Sequence, residues 1–98
     1  KFIENNLERI KHIHFKDVRK EEFKKYDSSS DSFLNTVLSG IFTVPGDGCI
    51  DFTSIVKILQ QNHYDGWIIV EAEQDPDKAD PLHYATSARN YLNSISVN

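Results

Sequence analysis

The stretch WIIVEAE, residues 67–73, constrains the fold of this chain more than any other part of the sequence. Its first four residues form a short continuous apolar run, which is typical of a strand buried on both faces in a parallel sheet. The run ends abruptly at Glu71, and Glu73 follows on the same face because side chains alternate along a strand. An apolar strand of this kind needs a partner strand in a sheet.

That partner is predicted at KHIHFKD, residues 11–17. Polar and apolar residues alternate here, so His12, His14 and Lys16 share one face and Ile13 lies on the opposite face. Because the carboxyl ends of parallel strands meet at one edge of a sheet, we expect the polar ends of both strands to lie close together.

Helical patterns surround and separate the two strands. Apolar residues spaced three and four apart predict the end of a helix at 2–9, a short helix at 20–26 and three further helices. Asp31, Asp51 and Asp80 are predicted as the N-caps of those three. Strands separated by helices indicate parallel strands joined by right-handed crossovers.

We therefore predict an α/β fold, made of the C-terminal β/α units of a (β/α)8 TIM barrel. Two strands leave both sheet edges open, and a complete barrel needs about 250 residues. The chain has 98 residues and no methionine, even at position 1. We expect residues 1–98 to be the C-terminal part of a single barrel domain, and thus a fragment.

Composition excludes several classes of protein. Hydrophobic residues make up 39% and charged residues 27%, as in an ordinary globular domain. No apolar run approaches the roughly 20 residues of a membrane span, and the single cysteine excludes an internal disulfide. Because we recognise no targeting signal in the sequence, we expect a cytoplasmic location and no membrane partner.

Basic residues are concentrated in the first quarter of the chain, although the net charge is −4. Residues 18–25 could form a phosphate-binding patch. However, Glu21 lies three and four residues before Lys24 and Lys25, which is the spacing of a solvated helix with internal ion pairs. No nucleic-acid motif accompanies the patch, so we expect no nucleic-acid partner.

The strand ends also predict a metal site. Neighbouring strands lie about 4.8 Å apart, so His14 and Glu71 could bind one ion at roughly 2.0–2.2 Å each. A carboxylate in a barrel mouth is costly unless it is paired or bound to a cation. Spacing alone leaves an ordinary strand histidine as the alternative. His63 and His83 are expected at the surface, outside the site. Cys49 lies in a predicted turn with no His or Cys nearby in the sequence, so we do not expect a catalytic thiol.

Four strings, in the same order and at matching spacings, resemble the C-terminal part of the inosose dehydratase family. They are HIHFKDVR (12–19), VPGDG (44–48), YDGW (64–67) and VEAEQDP (70–76). This family lies within the xylose-isomerase-like barrel superfamily of sugar epimerases, isomerases and endonuclease IV. The first and last strings are fairly specific, whereas P-G-x-G and Y-D-G occur across the superfamily.

The resemblance implies a divalent metal, manganese or cobalt first and zinc or magnesium as further options. In that superfamily the ion is held by Glu, Asp, His and Glu at the ends of four successive strands. His14 matches the histidine and Glu71 the last glutamate, while the other two ligands would lie before Lys1. The resemblance also implies a metal-dependent loss of water from 2-keto-myo-inositol, in inositol catabolism.

For such a reaction, we expect Glu71 to act as the catalytic base. Lys16 would bind a substrate oxygen or protonate the departing hydroxide. We expect His12 to orient its neighbours near the substrate, and Arg19 to contact the substrate. Glu73 would either contact the substrate or hold Arg19. The small-molecule partner would be a cyclitol or a sugar.

Other interpretations stay open. A sugar epimerase or isomerase of the superfamily would use the same His14 and Glu71, although Lys16-Asp17 and residues 73–75 favour the dehydratase. A fragment that binds nothing is the non-enzymatic alternative. A role like that of endonuclease IV is disfavoured because residues 18–48 contain no histidine for a trinuclear zinc site. The remainder of its own barrel is an expected partner, and a homo-oligomer is left open.

Overall fold

The computed structural model describes residues 1–97, so Asn98, the last residue of the span predicted as one domain, lies outside the described residues. Helices and strands follow one another in the order predicted, with two short strands added. The elements are α1 (Phe2–Asn6), a 3-10 turn (Leu7–Arg9), β1 (His12–Phe15), β2 (Asp17–Val18), α2 (Lys20–Lys24), α3 (Phe33–Leu38), β3 (Phe42–Thr43), α4 (Phe52–Gln61), β4 (Trp67–Val70) and α5 (Pro81–Ser94).

The two predicted strands, β1 and β4, pair in parallel. His12 lies opposite Trp67, and Phe15 lies opposite Val70. The ladder continues one step further, because the Glu71 backbone N–H donates to the Phe15 carbonyl at 3.0 Å. This register brings the polar residues that follow both strands to the same edge of the sheet.

The core lies between this sheet and the helices α4 and α5. Its central contact is between the rings of Phe15 and Phe52, whose centroids are 4.7 Å apart. The buried cluster consists of Phe15, Phe52, Val56, Leu59 and Leu92. The spacing of three and four residues along α4 places its three members of this cluster on one face.

Two of the three predicted helix caps are confirmed. Asp51 accepts a hydrogen bond from the Ser54 N–H at 3.1 Å, and Asp80 accepts one from the His83 N–H at 3.1 Å. Proline occupies the first position of α5, where it has no intrahelical partner to lose. Within residues 1–97, no helix combines the length and the apolar character needed to cross a membrane.

The predicted cap at Asp31 is wrong. Ser32 caps α3 instead, accepting a hydrogen bond from the Asn35 N–H at 3.1 Å. Asp31 accepts from the Asp27 N–H at 2.9 Å and so closes the preceding turn. Both residues are good caps, and the local turn determines which of them is used.

In this chain β4 is not buried on both faces, which accords with the expectation that neighbouring strands of the sheet are missing. Trp67 is 75% exposed, and Ile69 and Val70 are nearly 40% exposed. In the described part of the chain β4 pairs with β1 alone, so one edge and one face of the strand lack a covering layer. Among the residues of β4, Ile68 alone is partly buried against the core cluster.

The pairing of β2 with β3 was not expected. These strands are antiparallel, with Asp17 opposite Thr43 and Val18 opposite Phe42. The predicted turn at 44–48 follows directly, and Gly46 adopts a φ of +95°, which favours glycine. The pair of short strands extends the sheet end and connects it to this turn.

Candidate active site at the ends of the parallel strands

His14 and Glu71 meet at the carboxyl end of the parallel pair. The His14 Nδ1 lies 2.8 Å from the Glu71 Oε2, and both side chains are partly exposed. An ionised carboxylate can only accept a hydrogen bond, so Nδ1 of His14 carries the proton and donates it. The contact that the sequence predicted between these two strand ends is therefore present.

Lys16 connects this pair to a second carboxylate. Its Nζ donates to Glu73 Oε1 at 2.6 Å and to Glu71 Oε1 at 3.3 Å. Glu73 adopts a φ of +51°, in the left-handed region that residues other than glycine seldom occupy. In this backbone conformation the Glu73 carboxylate lies close to the end of β1, where it contacts Lys16.

Hydrogen bonds within this cluster stabilise the charged forms of Glu71 and Lys16. Hydrogen bonding with the Glu73 carboxyl group, followed by hydrogen bonds with His14 and Lys16, lowers the pKa of Glu71 from 4.5 to about 2. Burial alone would lower the pKa of Lys16, but hydrogen bonds to Glu73 and Glu71 outweigh it and raise the pKa above 10.5. At neutral pH, Glu71 is thus an anion and Lys16 a cation.

His12 lies beside this cluster, one alternation earlier on β1. Its ring meets that of His14 edge-on, with centroids 5.2 Å apart. Of the residues predicted for the site, the structure therefore gathers His12, His14, Lys16, Glu71 and Glu73 in one place. Because all of them follow or lie on two paired strands, the parallel register explains this gathering.

Arg19 belongs to a neighbouring network. Its guanidinium donates to the Gly40 carbonyl at 2.8 Å and to the Asp47 carboxylate at 3.0 Å. It also donates to the hydroxyls of Thr43 and Tyr84, at 3.2 Å each. Arg19 thus holds the strand end, the turn and α5 together. The carboxylate of Glu73, which the sequence left as a possible partner of Arg19, contacts Lys16 instead.

Asp17 is the main feature that the sequence analysis missed. Its side chain is completely buried, and its carboxylate accepts hydrogen bonds from four backbone N–H groups at 2.9–3.2 Å. The donors are Val18, Gly46, Gly48 and Ile50. An aspartate directly after a strand, with a P-G-x-G turn downstream, is the signal that could have indicated this arrangement.

Phe42 is the second residue that the analysis missed. The Lys16 Nζ lies 4.6 Å from the centroid of its ring, within the range of a cation–π interaction. The ring of Phe33 packs against that of Phe42 in a tilted arrangement, with the two centroids 6.0 Å apart. The site therefore has an apolar aromatic wall on the side of β3.

The cluster contains an imidazole and a carboxylate side by side, and Nδ1 of the imidazole becomes a ligand for a cation once it gives up the proton that it donates to Glu71. Across residues 1–97, no group of three or more His, Cys, Asp or Glu side chains is arranged to hold an ion. His14 and Glu71 thus have the chemistry of metal ligands but would form only part of a coordination sphere.

Comparison with known proteins identifies the family of this chain. The profile of the family described as "Xylose isomerase-like TIM barrel" matches residues 2–95. The chain belongs to this family. TIM-barrel enzymes carry their active sites at the carboxyl ends of the strands, which is where the cluster around Glu71 lies.

Curated relatives narrow the similarity further. The chain is 58% identical over 87 residues to a protein named inosose dehydratase from Halalkalibacterium halodurans, covering 89% of this chain and 29% of the relative. It is 49% identical over 96 residues to the inosose dehydratase of Bacillus licheniformis, covering 98% of this chain and 32% of that protein. The chain thus spans about three tenths of the length of these relatives.

Proposed function

We propose that residues 1–98 form the C-terminal part of one barrel domain of a metal-dependent dehydratase. This enzyme would remove water from 2-keto-myo-inositol in inositol catabolism, in the cytoplasm. The observation that carries the proposal is the cluster of His14, Lys16 and Glu71 at the strand ends. Its support is the high identity to proteins named inosose dehydratase.

His14 and Glu71 fit a divalent metal, manganese or cobalt in the first place and zinc or magnesium otherwise. Their side chains are adjacent, Glu71 is ionised at neutral pH as a carboxylate ligand must be, and metal binding would displace the proton that His14 Nδ1 shares with Glu71. The remaining ligands would come from other parts of the barrel. When bound, the cation would polarise the substrate ketone as a Lewis acid.

The chain's own side chains would move the protons. Glu71 would take the proton from the carbon next to the ketone, while Lys16 gives a proton to the hydroxyl group on the neighbouring carbon. That hydroxyl leaves as water, and the electron pair of the broken C–H bond forms the new double bond. His12 would orient His14, and Glu73 and Arg19 would contact the hydroxyl groups of the cyclitol.

The contacts of Lys16 place its ammonium group beside the carboxylate that acts as the base in this scheme. An amine held by hydrogen bonds to Glu71 and Glu73 is charged and directed to the place where the carboxylate base lies. The basic residues of α2, in contrast, pair along their own helix, Lys24 with Glu21 at 3.3 Å and Lys25 with Glu22 at 3.4 Å. This pairing supports a solvated helix rather than a phosphate-binding patch.

The test is Glu71→Gln in the complete barrel that contains these residues, assayed on inosose with added manganese. We expect turnover to fall by roughly 100-fold or more with an unchanged circular dichroism spectrum, since a positioned acid or base contributes about that much. Glu21→Gln, on the exposed face of α2, is the matched control and should retain full activity.

Two outcomes would contradict the proposal. Activity retained by Glu71→Gln would remove this carboxylate from the mechanism. If the wild-type protein interconverts ketohexoses and leaves inosose unchanged, the enzyme is a sugar epimerase or isomerase that uses the same His14 and Glu71.

A further inference from the structure

The ammonium group of Lys16 has an aromatic face on one side and carboxylates on another. Its Nζ lies 4.6 Å from the centroid of the Phe42 ring, while Glu73 and Glu71 accept its hydrogen bonds at 2.6 and 3.3 Å. The ring of Phe33 packs in turn against that of Phe42. The amine is thus confined by groups from two separate segments of the chain, β3 and residues 71–73.

The pairing of β2 with β3 explains why Phe42 lies there. Phe42 is directly opposite Val18, two residues after Lys16, so the alternation of side chains places Phe42 and Lys16 on the same face. The Arg19 N–H extends the ladder by donating to the Ile41 carbonyl at 2.8 Å. The position of the ring is therefore fixed by backbone hydrogen bonds on either side of it.

From this geometry we propose that Phe42 is a positioning residue, which holds the Lys16 amine in place for the reaction. This inference rests on the proposed function only in giving Lys16 a role with the substrate. Lysine has a flexible four-carbon stem and loses rotamer freedom when it acts at one point. An aromatic face beneath the ammonium group restricts that freedom before the substrate arrives.

The kinetic test compares Phe42→Leu with Phe42→Tyr in the complete barrel. Leucine keeps an apolar side chain in β3 without the ring, and we expect kcat/KM to fall roughly three- to thirtyfold, the size of a cation–π contact. Tyrosine keeps the ring face and should stay within about twofold of the wild type. Phe23→Leu, which removes an exposed ring that stacks on Tyr26, is the matched control.

A double-mutant cycle separates positioning from packing. If Phe42 acts through the amine, Phe42→Leu should cause no further loss of kcat/KM when Lys16 is already replaced by methionine. An equal loss in both backgrounds, or an equal loss for Phe42→Leu and Phe42→Tyr, would mean that the ring only packs and would overturn the inference.

A spectroscopic readout makes the test independent of the reaction. In protein labelled with 13C-lysine, the Lys16 Cε–H resonance should be shifted by the ring current of Phe42, and the shift should be lost in Phe42→Leu and kept in Phe42→Tyr. A wild-type Lys16 resonance without this shift would overturn the inference even if the leucine variant does not fold. Absence of inosose turnover with the shift intact would instead contradict the proposed function alone.

Discussion

Asp17 shows how a single buried carboxylate can organise a loop. Removing a charged group from water is costly unless hydrogen bonds replace the lost hydration. Here four backbone N–H groups converge on one side chain with no exposed surface. Hydrogen bonds to an ionised acceptor are stronger than neutral ones, so this residue binds the turn after β3 to the end of the sheet.

Replacing Asp17 by asparagine should therefore destabilise the protein. The amide NH2 would point at backbone donors that need an acceptor, and we expect the free energy of unfolding to fall by about 2–3 kcal/mol. Urea denaturation of the two proteins measures the difference. The control is Asp77→Asn, at an exposed position. A loss no larger than that of the control would show that the four hydrogen bonds contribute little.

At the scale of the elements, α4 depends on its cap. Asp51 accepts hydrogen bonds from the Ser54 hydroxyl and from the Ser54 N–H, at 2.5 and 3.1 Å. These bonds, with the hydroxyl the larger contributor, lower the pKa of Asp51 below its ordinary 3.8. The ionised carboxylate also interacts favourably with the N-terminal end of the helix dipole.

This shift predicts a pH dependence of stability. A folded-state pKa below the unfolded value gives stability that is present above about pH 3.8 and is lost as the pH falls through the lowered pKa. In an Asp51→Asn variant, the side-chain amide would still cap the helix but could not titrate. We expect the wild type to have the higher urea midpoint at pH 6, with the difference shrinking near pH 3. A constant difference at both pH values would contradict this prediction.

The elements also show what the sequence could and could not predict. Local signals indicated the main elements. Apolar residues spaced three and four apart, with the caps Asp51 and Asp80, indicated α4 and α5. Alternation indicated β1, and a continuous apolar run indicated β4. The choice of Ser32 over Asp31 depends on a turn that both residues can close. The pairing of β2 with β3 joins two-residue strands more than twenty residues apart, and such short strands carry no periodic signal.

On the scale of the whole molecule, the candidate site was predictable as far as parallel pairing determines it. The observed parallel register brings His14 near Glu71, because His14 lies opposite Ile69 and Glu71 follows two residues later on the same face. The contact of Lys16 with Phe42 depends on the unpredicted β2–β3 pair. The contact of Lys16 with Glu73 depends on a left-handed backbone conformation that favours glycine. The chemical roles of these residues remain predictions.

The exposed face of β4 gives the last prediction. Trp67 is the only tryptophan in the sequence and is 75% exposed in this structure, on the strand face that points into a closed parallel barrel. In the complete barrel the neighbouring strands and packed interior side chains should cover it. We therefore expect acrylamide to quench the tryptophan fluorescence of the 98-residue chain strongly. In the complete barrel, where any further tryptophans are first replaced by phenylalanine, we expect weak quenching and a blue-shifted emission. Equal quenching in both proteins would show that this face stays open to solvent and that the barrel does not close over β4.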